Sequence, residues 1–242
     1  MLLYEACLKK KGVRMNTTSF YMRILRAVYN RAVEKGLTEQ RYPFRYVYTG
    51  VEKTIKRAVS VKVIKKLKEL DLSMKPSLDF ARDMFLFSFY TRGMSFVDMA
   101  YLRKIDLQNG ILTYRRRKTG QQLTIKWEKC MEEIICKYPS NKTDYLLPII
   151  KVQDNERKQY DNALHLVNYR LKDLSKILKL QQTLTLYVAR HSWASAAKAK
   201  NIPLSVISEG MGHESEKTTQ IYLASLETSV IDKANKVILE SL

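Results

Sequence analysis

Three residues able to act together at phosphorus lie within 36 positions, in the run YVARHSWASAAKAKNIPLSVISEGMGHESEKTTQIY (187–222): Arg190, His213 and Tyr222. A phenol is a weak nucleophile at neutral pH because its pKa is about 10. It becomes effective beside cationic or hydrogen-bonding groups, facing an electrophile whose charge has been neutralised. A planar guanidinium can grip two non-bridging phosphate oxygens at once, and it gains most where negative charge builds on a pentacovalent phosphorus. An imidazole can add a further hydrogen bond to the same oxygens. Each residue alone is ordinary, since Tyr222 is one of 15 tyrosines. Their order and spacing carry the meaning.

The composition agrees with a phosphate-rich partner. Lys and Arg number 43 against 24 Asp and Glu, a formal charge of +19, which points to a polyanion and first to nucleic acid. The excess is concentrated at the front: residues 1–68 hold 17 basic and 4 acidic residues, net +13. No apolar run approaches the roughly 18 residues needed to span a bilayer, and MLLYEACLKKKG lacks the form of a secretory signal. The expectation is a cytoplasmic protein. Cys7, Cys130 and Cys136 are odd in number and without metal-ligand spacing, so they read as small buried or neutral residues, not as disulfides or a zinc site.

The elements that must position these groups are mostly helical. Phe20, Ile24, Ala27, Val28 and Ala32 recur at helical spacing over Asn16–Lys35, Gly36 stops the run, and Arg23, Arg26 and Arg31 also lie on it. RYPFRYVYTG (41–50) reads as an extended connection. EKTIKRAVS (52–60) reads as a basic linker ending at Ser60, an N-cap for VKVIKKLKEL. A boundary follows near residue 58, giving domains 1–57 and 58–242. Residues 110–127 predict a β-hairpin turning at Lys118-Thr119-Gly120 within this helical chain. Helices are expected over 158–180 and 187–200, with Pro203 opening another.

The run Arg190-His191-Ser192-Trp193, then Met211-Gly212-His213, then Tyr222, resembles the C-terminal box of the tyrosine recombinase (phage integrase) family in order and spacing. FSFYTRGMSFVDMAYLRKIDL (87–107) and the hairpin Lys118 match its other two boxes. With KRAVS at 56–60 and PFRYVY at 43–48, the likeness covers nearly all of the chain, and it looks most similar to integrases of Bacteroides-type bacteria. The resemblance implies a site-specific recombinase of mobile elements that breaks and rejoins DNA through a 3′-phosphotyrosine. Tyr222 is then the nucleophile, Arg190 and His213 hold the phosphate, and Lys118 protonates the departing 5′-hydroxyl. No cofactor, metal or ATP is implied, because the phosphotyrosyl bond is kept for religation. His191 is expected to have a structural or secondary hydrogen-bonding role, and Trp193 to pack in the core.

Two positions depart from the family pattern. Aligned on Leu102 and Asp106, Ser95 and Asp98 fall where the family has an arginine and a glutamate. The replacement arginine is Arg116 or Arg92. Arg116 is preferred because it sits two residues before Lys118, on the same side of a strand; Ser95 itself can donate one hydrogen bond. Tyr187 stands at the usual place of a histidine, where a phenol can hydrogen-bond but is a poor base near pH 7.

The expected fold is mainly α with a small antiparallel β-sheet: a tyrosine recombinase catalytic fold at 58–242, preceded by a partial helical core-binding domain at 1–57. The short front reads as a truncation. Arg23, Arg26, Arg31, Lys53, Lys56 and Arg57 are the expected DNA contacts. Ile231, Ala234, Val237, Ile238 and Leu242 form a helical stripe, which packs on its own domain or docks on a neighbour in a homotetramer around two DNA duplexes. Nucleoid association is the implied location. A catalytically impaired DNA-binding module and a type IB topoisomerase-like nicking enzyme are the rival readings.

Overall fold

The computed structural model describes residues 1–52, 58–139, 142–213, 215–223 and 239. The chain divides into two compact units, Met1–Ile55 and Lys56–Leu242.

The first unit holds α1 (Leu2–Lys10) and α2 (Met15–Glu34), joined through Gly12 at φ +73°. Its core is small: Leu8, Met22, Phe44 and Val47, with Val13 and Tyr29 packed against them. Residues 43–46 form turns, not the extended connection expected, and Arg45 N–H donates to the Tyr42 carbonyl at 3.1 Å. The turn brings Phe44 and Val47 inward together. The apolar face expected of α2 is also not the buried one. Phe20, Ile24 and Val28 are exposed, while Thr18, Ser19 and Met22 are buried. Hydrogen bonding explains the choice: Ser19 Oγ donates to the Gly50 carbonyl at 2.5 Å, and Asn16 exchanges two bonds with the Glu52 backbone.

The second unit is built around α4 (Pro76–Tyr90), opened by proline in its first turn. Met84, Phe85 and Phe87 on it are fully buried, as expected of a helix apolar on most sides. Burial of each phenylalanine contributes about 1.5–3 kcal/mol. Around α4 pack α3 (Val61–Lys68), α6 (Lys129–Cys136), α7 (Glu156–Ile177) and α8 (Leu186–Ala199). Ser60 is the N-cap of α3, as expected. The short α5 (Phe96–Ala100) precedes a three-stranded antiparallel sheet, β1 (Leu107–Gln108), β2 (Ile111–Arg115) and β3 (Gln122–Lys126), in the order β1-β2-β3. The hairpin was expected; the two-residue β1 was not, being too short to leave a pattern. Leu112 faces Ile125 and Tyr114 faces Leu123, all four buried, so one side of the sheet seals the core.

An ionic cluster locks α6 to α4. Arg82 bonds Asp79, Asp83 and the Leu70 carbonyl, and Lys137 reaches both carboxylates. Tyr138 donates to Asp83 at 2.7 Å. Burial, and then that bond, push the Tyr138 phenol well above its ordinary pKa.

The C-terminal part adds α9 (Leu204–Gly210) and α10 (Glu216–Leu223). Ala194, Ile207, Met211 and Leu223 join them to α8, with Trp193 packed against the cluster. Cys7 and Cys136 are exposed and Cys130 is half-buried, all three as free thiols, so of the two alternatives read from the sequence, buried or neutral, full burial does not hold. No helix among the described residues is long and apolar enough to cross a membrane.

Candidate active site

Arg190 lies one turn into α8 and is only 6% exposed. Its Nη1 donates to the Gly93 carbonyl and its Nη2 to the Met211 carbonyl, both at 2.6 Å. Two carbonyls from distant chain segments therefore set the plane of the guanidinium. The first comes from the turn after α4, where Arg92 and Gly93 both have positive φ, +59° and +78°. A Cβ at position 93 would sit 2.8 Å from Arg190 Cα and 2.7 Å from its Cγ. Only glycine allows that approach.

The second carbonyl belongs to the turn that ends α9. Gly212 N–H donates to the Glu209 carbonyl and His213 N–H to the Ser208 carbonyl, with Gly212 at φ +63°. This is a Schellman cap, and it delivers His213 to Arg190. Arg190 Nη2 lies 2.9 Å from His213 Nε2, and His213 Nδ1 lies 2.7 Å from Thr219 Oγ1 on α10. Burial depresses the His213 pKa to about 4, helped by the charges of Arg190, Arg116 and Lys118. The ring is neutral at physiological pH.

Arg116 follows β2, is 7% exposed, and donates through Nη1 to the Gly212 carbonyl. It thus belongs to the same cluster as Arg190 and His213. Arg92 instead reaches the Thr124 carbonyl at 3.3 Å, and its charge is not among those depressing His213. Lys118 has left the strand for the loop at the hairpin tip and is exposed, so strand parity is not what brings it near Arg116. A cavity of about 420 Å³ does so, lined by Ser95, Arg116, Lys118, Tyr187 and Arg190 among others.

Ser95 has its hydrogen-bond partners within α5. It caps α5 and donates its hydroxyl proton to Asp98 Oδ2 at 2.6 Å. Asp98 is buried, and its other oxygen accepts from Arg117 N–H at 2.9 Å. The pair ties α5 to the hairpin loop beside Lys118. Tyr187 is 56% exposed and stacks edge-on against His191, centroids 4.5 Å apart. His191 is 3% exposed and Trp193 packs on the α8–α9–α10 cluster.

Position 222 lies on α10, but the side chain of Tyr222 is outside the described residues, as are Lys53, Lys56, Arg57 and the stripe at 231–242. Arg23, Arg26 and Arg31 are exposed on α2. Reasoning from sequence missed Gly93, the Met211 carbonyl and Thr219. Glycine within YTRGMS and the repeated threonine of TTQIY were the signals present. No group of three or more His, Cys, Asp or Glu among the described residues could hold a metal ion.

The phage integrase family matches residues 54–228. The tyrosine recombinase XerA of Thermococcus kodakarensis is 25% identical over 226 residues, covering 91% of this chain and 75% of that protein. Among solved structures, a lambda integrase(75–356) dimer bound to a COC′ core site is similar at TM-score 0.70, with 13% identity over 94% of this chain and 79% of that one. A lambda integrase tetramer bound to a Holliday junction is similar at TM-score 0.67, with 14% identity over 91% of this chain and 62% of that one.

Proposed function

Because the chain belongs to the phage integrase family, the tyrosine-type site-specific recombinases, we propose that it exchanges strands between two short DNA sites through a 3′-phosphotyrosyl bond to Tyr222. The Tyr222 oxygen attacks the scissile phosphorus, the bond to the 5′-oxygen breaks, and Lys118 supplies that oxygen with a proton. Arg190 and Arg116 clamp the non-bridging oxygens, with Arg116 in place of the arginine that Ser95 replaces. His213 adds a hydrogen bond to the same oxygens, and Tyr187 contributes another from the cavity rim. The phosphotyrosyl bond conserves the energy of the cleaved one, so neither metal nor ATP enters the cycle.

One observation carries this reading: Arg190 and Arg116 hold the consecutive carbonyls of Met211 and Gly212, and Arg190 also meets the His213 ring, beside a cavity that Lys118 lines. The front of the chain, 1–57, acts as a helical core-binding domain that grips duplex DNA through Arg23, Arg26, Arg31, Lys53, Lys56 and Arg57, and 58–242 is the catalytic domain. Four copies assemble on two duplexes, a reading supported by the similarity to the tetrameric lambda integrase. The protein works in the cytoplasm at the nucleoid of a bacterium, on a mobile element, in the manner of Bacteroides-type integrases. The relative compared above is archaeal, so this affinity rests on the box sequences alone.

A library of nicked duplexes with randomised sequence tests the reaction. The wild-type chain should trap DNA covalently, and Tyr222→Phe should trap none. Absence of any Tyr222-dependent adduct overturns the proposal in favour of a DNA-binding module. That second reading draws on Ser95, whose proton is committed to Asp98 and not to a phosphate.

A further inference from the structure

The structure assigns to Thr219 a role the recombinase reading does not contain: we infer that Thr219 is the positioning residue of His213, its hydroxyl holding the ring in either tautomer as the phosphate arrives. The inference rests on the reading of His213 as a phosphate-binding group.

A guanidinium has only donors, so the 2.9 Å contact between Arg190 Nη2 and His213 Nε2 requires a lone pair on Nε2. The ring is neutral, its pKa held near 4, so its single proton sits on Nδ1, as assigned from this hydrogen-bond network. Thr219 Oγ1, 2.7 Å away, must then be the acceptor. In that state His213 presents no donor to a phosphate.

To donate, the ring needs its proton on Nε2 and an acceptor's lone pair on Nδ1. A phosphate oxygen that accepts the Nη2–H now facing Nε2 removes that donor and offers Nε2 an acceptor, with the guanidinium still held by the Gly93 and Met211 carbonyls. One proton leaves Nδ1 and one arrives at Nε2 through solvent, and the ring stays neutral. The partner at Nδ1 must now donate. A hydroxyl can reverse its role without moving its oxygen; a carboxylate cannot donate and a carbonyl cannot either. Thr219 is fully buried, so no water reaches its hydroxyl to take the place of the ring.

Thr219 also ties the ring to the helix of the nucleophile. It stands three residues before position 222 on α10, one helical turn away. The bond to His213 therefore fixes the backbone of the turn that leads to Tyr222.

The test uses the 242-residue chain as wild type, Thr219→Ser and Thr219→Val, with His213→Gln as the assignment control. Nitrogen-15 NMR of histidine-labelled free protein, with His213→Gln to assign the ring, should show the Nδ1–H tautomer in the wild type. A wild-type ring protonated on Nε2 overturns the assignment. On a nicked duplex at saturating protein, Thr219→Val should slow first-order adduct formation about tenfold with DNA affinity changed less than about threefold. Thr219→Ser should stay within about threefold of wild type. Equal loss in both variants, or full rate in Thr219→Val, overturns the inference. If the wild type forms no adduct, the recombinase reading fails instead, and the NMR result still decides what Thr219 does.

Discussion

Arg190 and Lys118 open on the same cavity, yet they are held in opposite ways. Arg190 is buried and gripped by two backbone carbonyls and an imidazole, whereas Lys118 is exposed in the loop 116–121 between β2 and β3. A charge-stabilising group gains from being fixed before the reaction, because reorganisation would consume part of its benefit. A proton donor needs to reach its target only at the moment the leaving group departs, and a loop can supply that motion. Rigidity is concentrated on one side of the cavity and freedom on the other.

That contrast can be broken from either side. Gly93→Ala should have the largest effect, since its Cβ would overlap Arg190 at 2.7 Å and its backbone sits at φ +78°. Adduct formation should drop roughly 1000-fold, and a better leaving group should not restore it. Lys118→Ala should lose about 100-fold, and a duplex with sulfur at the 5′-bridging position should recover most of it, because a thiolate leaves without a proton. If the sulfur substrate rescues Gly93→Ala as well, the division of labour is wrong.

Arg116→Ala should slow adduct formation about 30-fold, and Arg92→Ala less than about threefold, since only Arg116 meets the Gly212 carbonyl beside His213. Equal effects would return the question of the missing arginine to the open. The smallest effect concerns pH. The folded-state pKa of His213 is lowered from 6.5 to about 4, so its contribution to stability is present above about 6.5 and is lost as pH falls through that window. Melting temperature should fall by a few degrees from pH 7 to pH 4.5, and His213→Gln should lessen that fall.

Much of this arrangement was legible in the residues because its signals are local. Gly120 and the β-branched strands announced the hairpin, Ser60 and Pro203 marked helix starts, and Arg190, His213 and Tyr222 kept a recognisable spacing. What stayed hidden was of two kinds. Backbone carbonyls have no sequence identity, so nothing in Met211 says that its oxygen orients Arg190. Helical spacing shows that a face exists but not what meets it: Phe20, Ile24 and Val28 share a face of α2, and the core formed on Ser19 and Met22 instead. Ser95 combined both difficulties, standing where an arginine was expected and facing Asp98, three residues on.

The ionic cluster on α4 has an evolutionary consequence. Arg82, Asp79 and Asp83 are largely buried and pair with one another and with the partly exposed Lys137, and removing one member of such a group strands the charge of the next. Substitution there is tolerated wholesale but resisted piecemeal. Across homologues these four positions should therefore drift as a unit, present together or replaced together by apolar residues, while the helix they anchor goes on delivering Gly93 to Arg190.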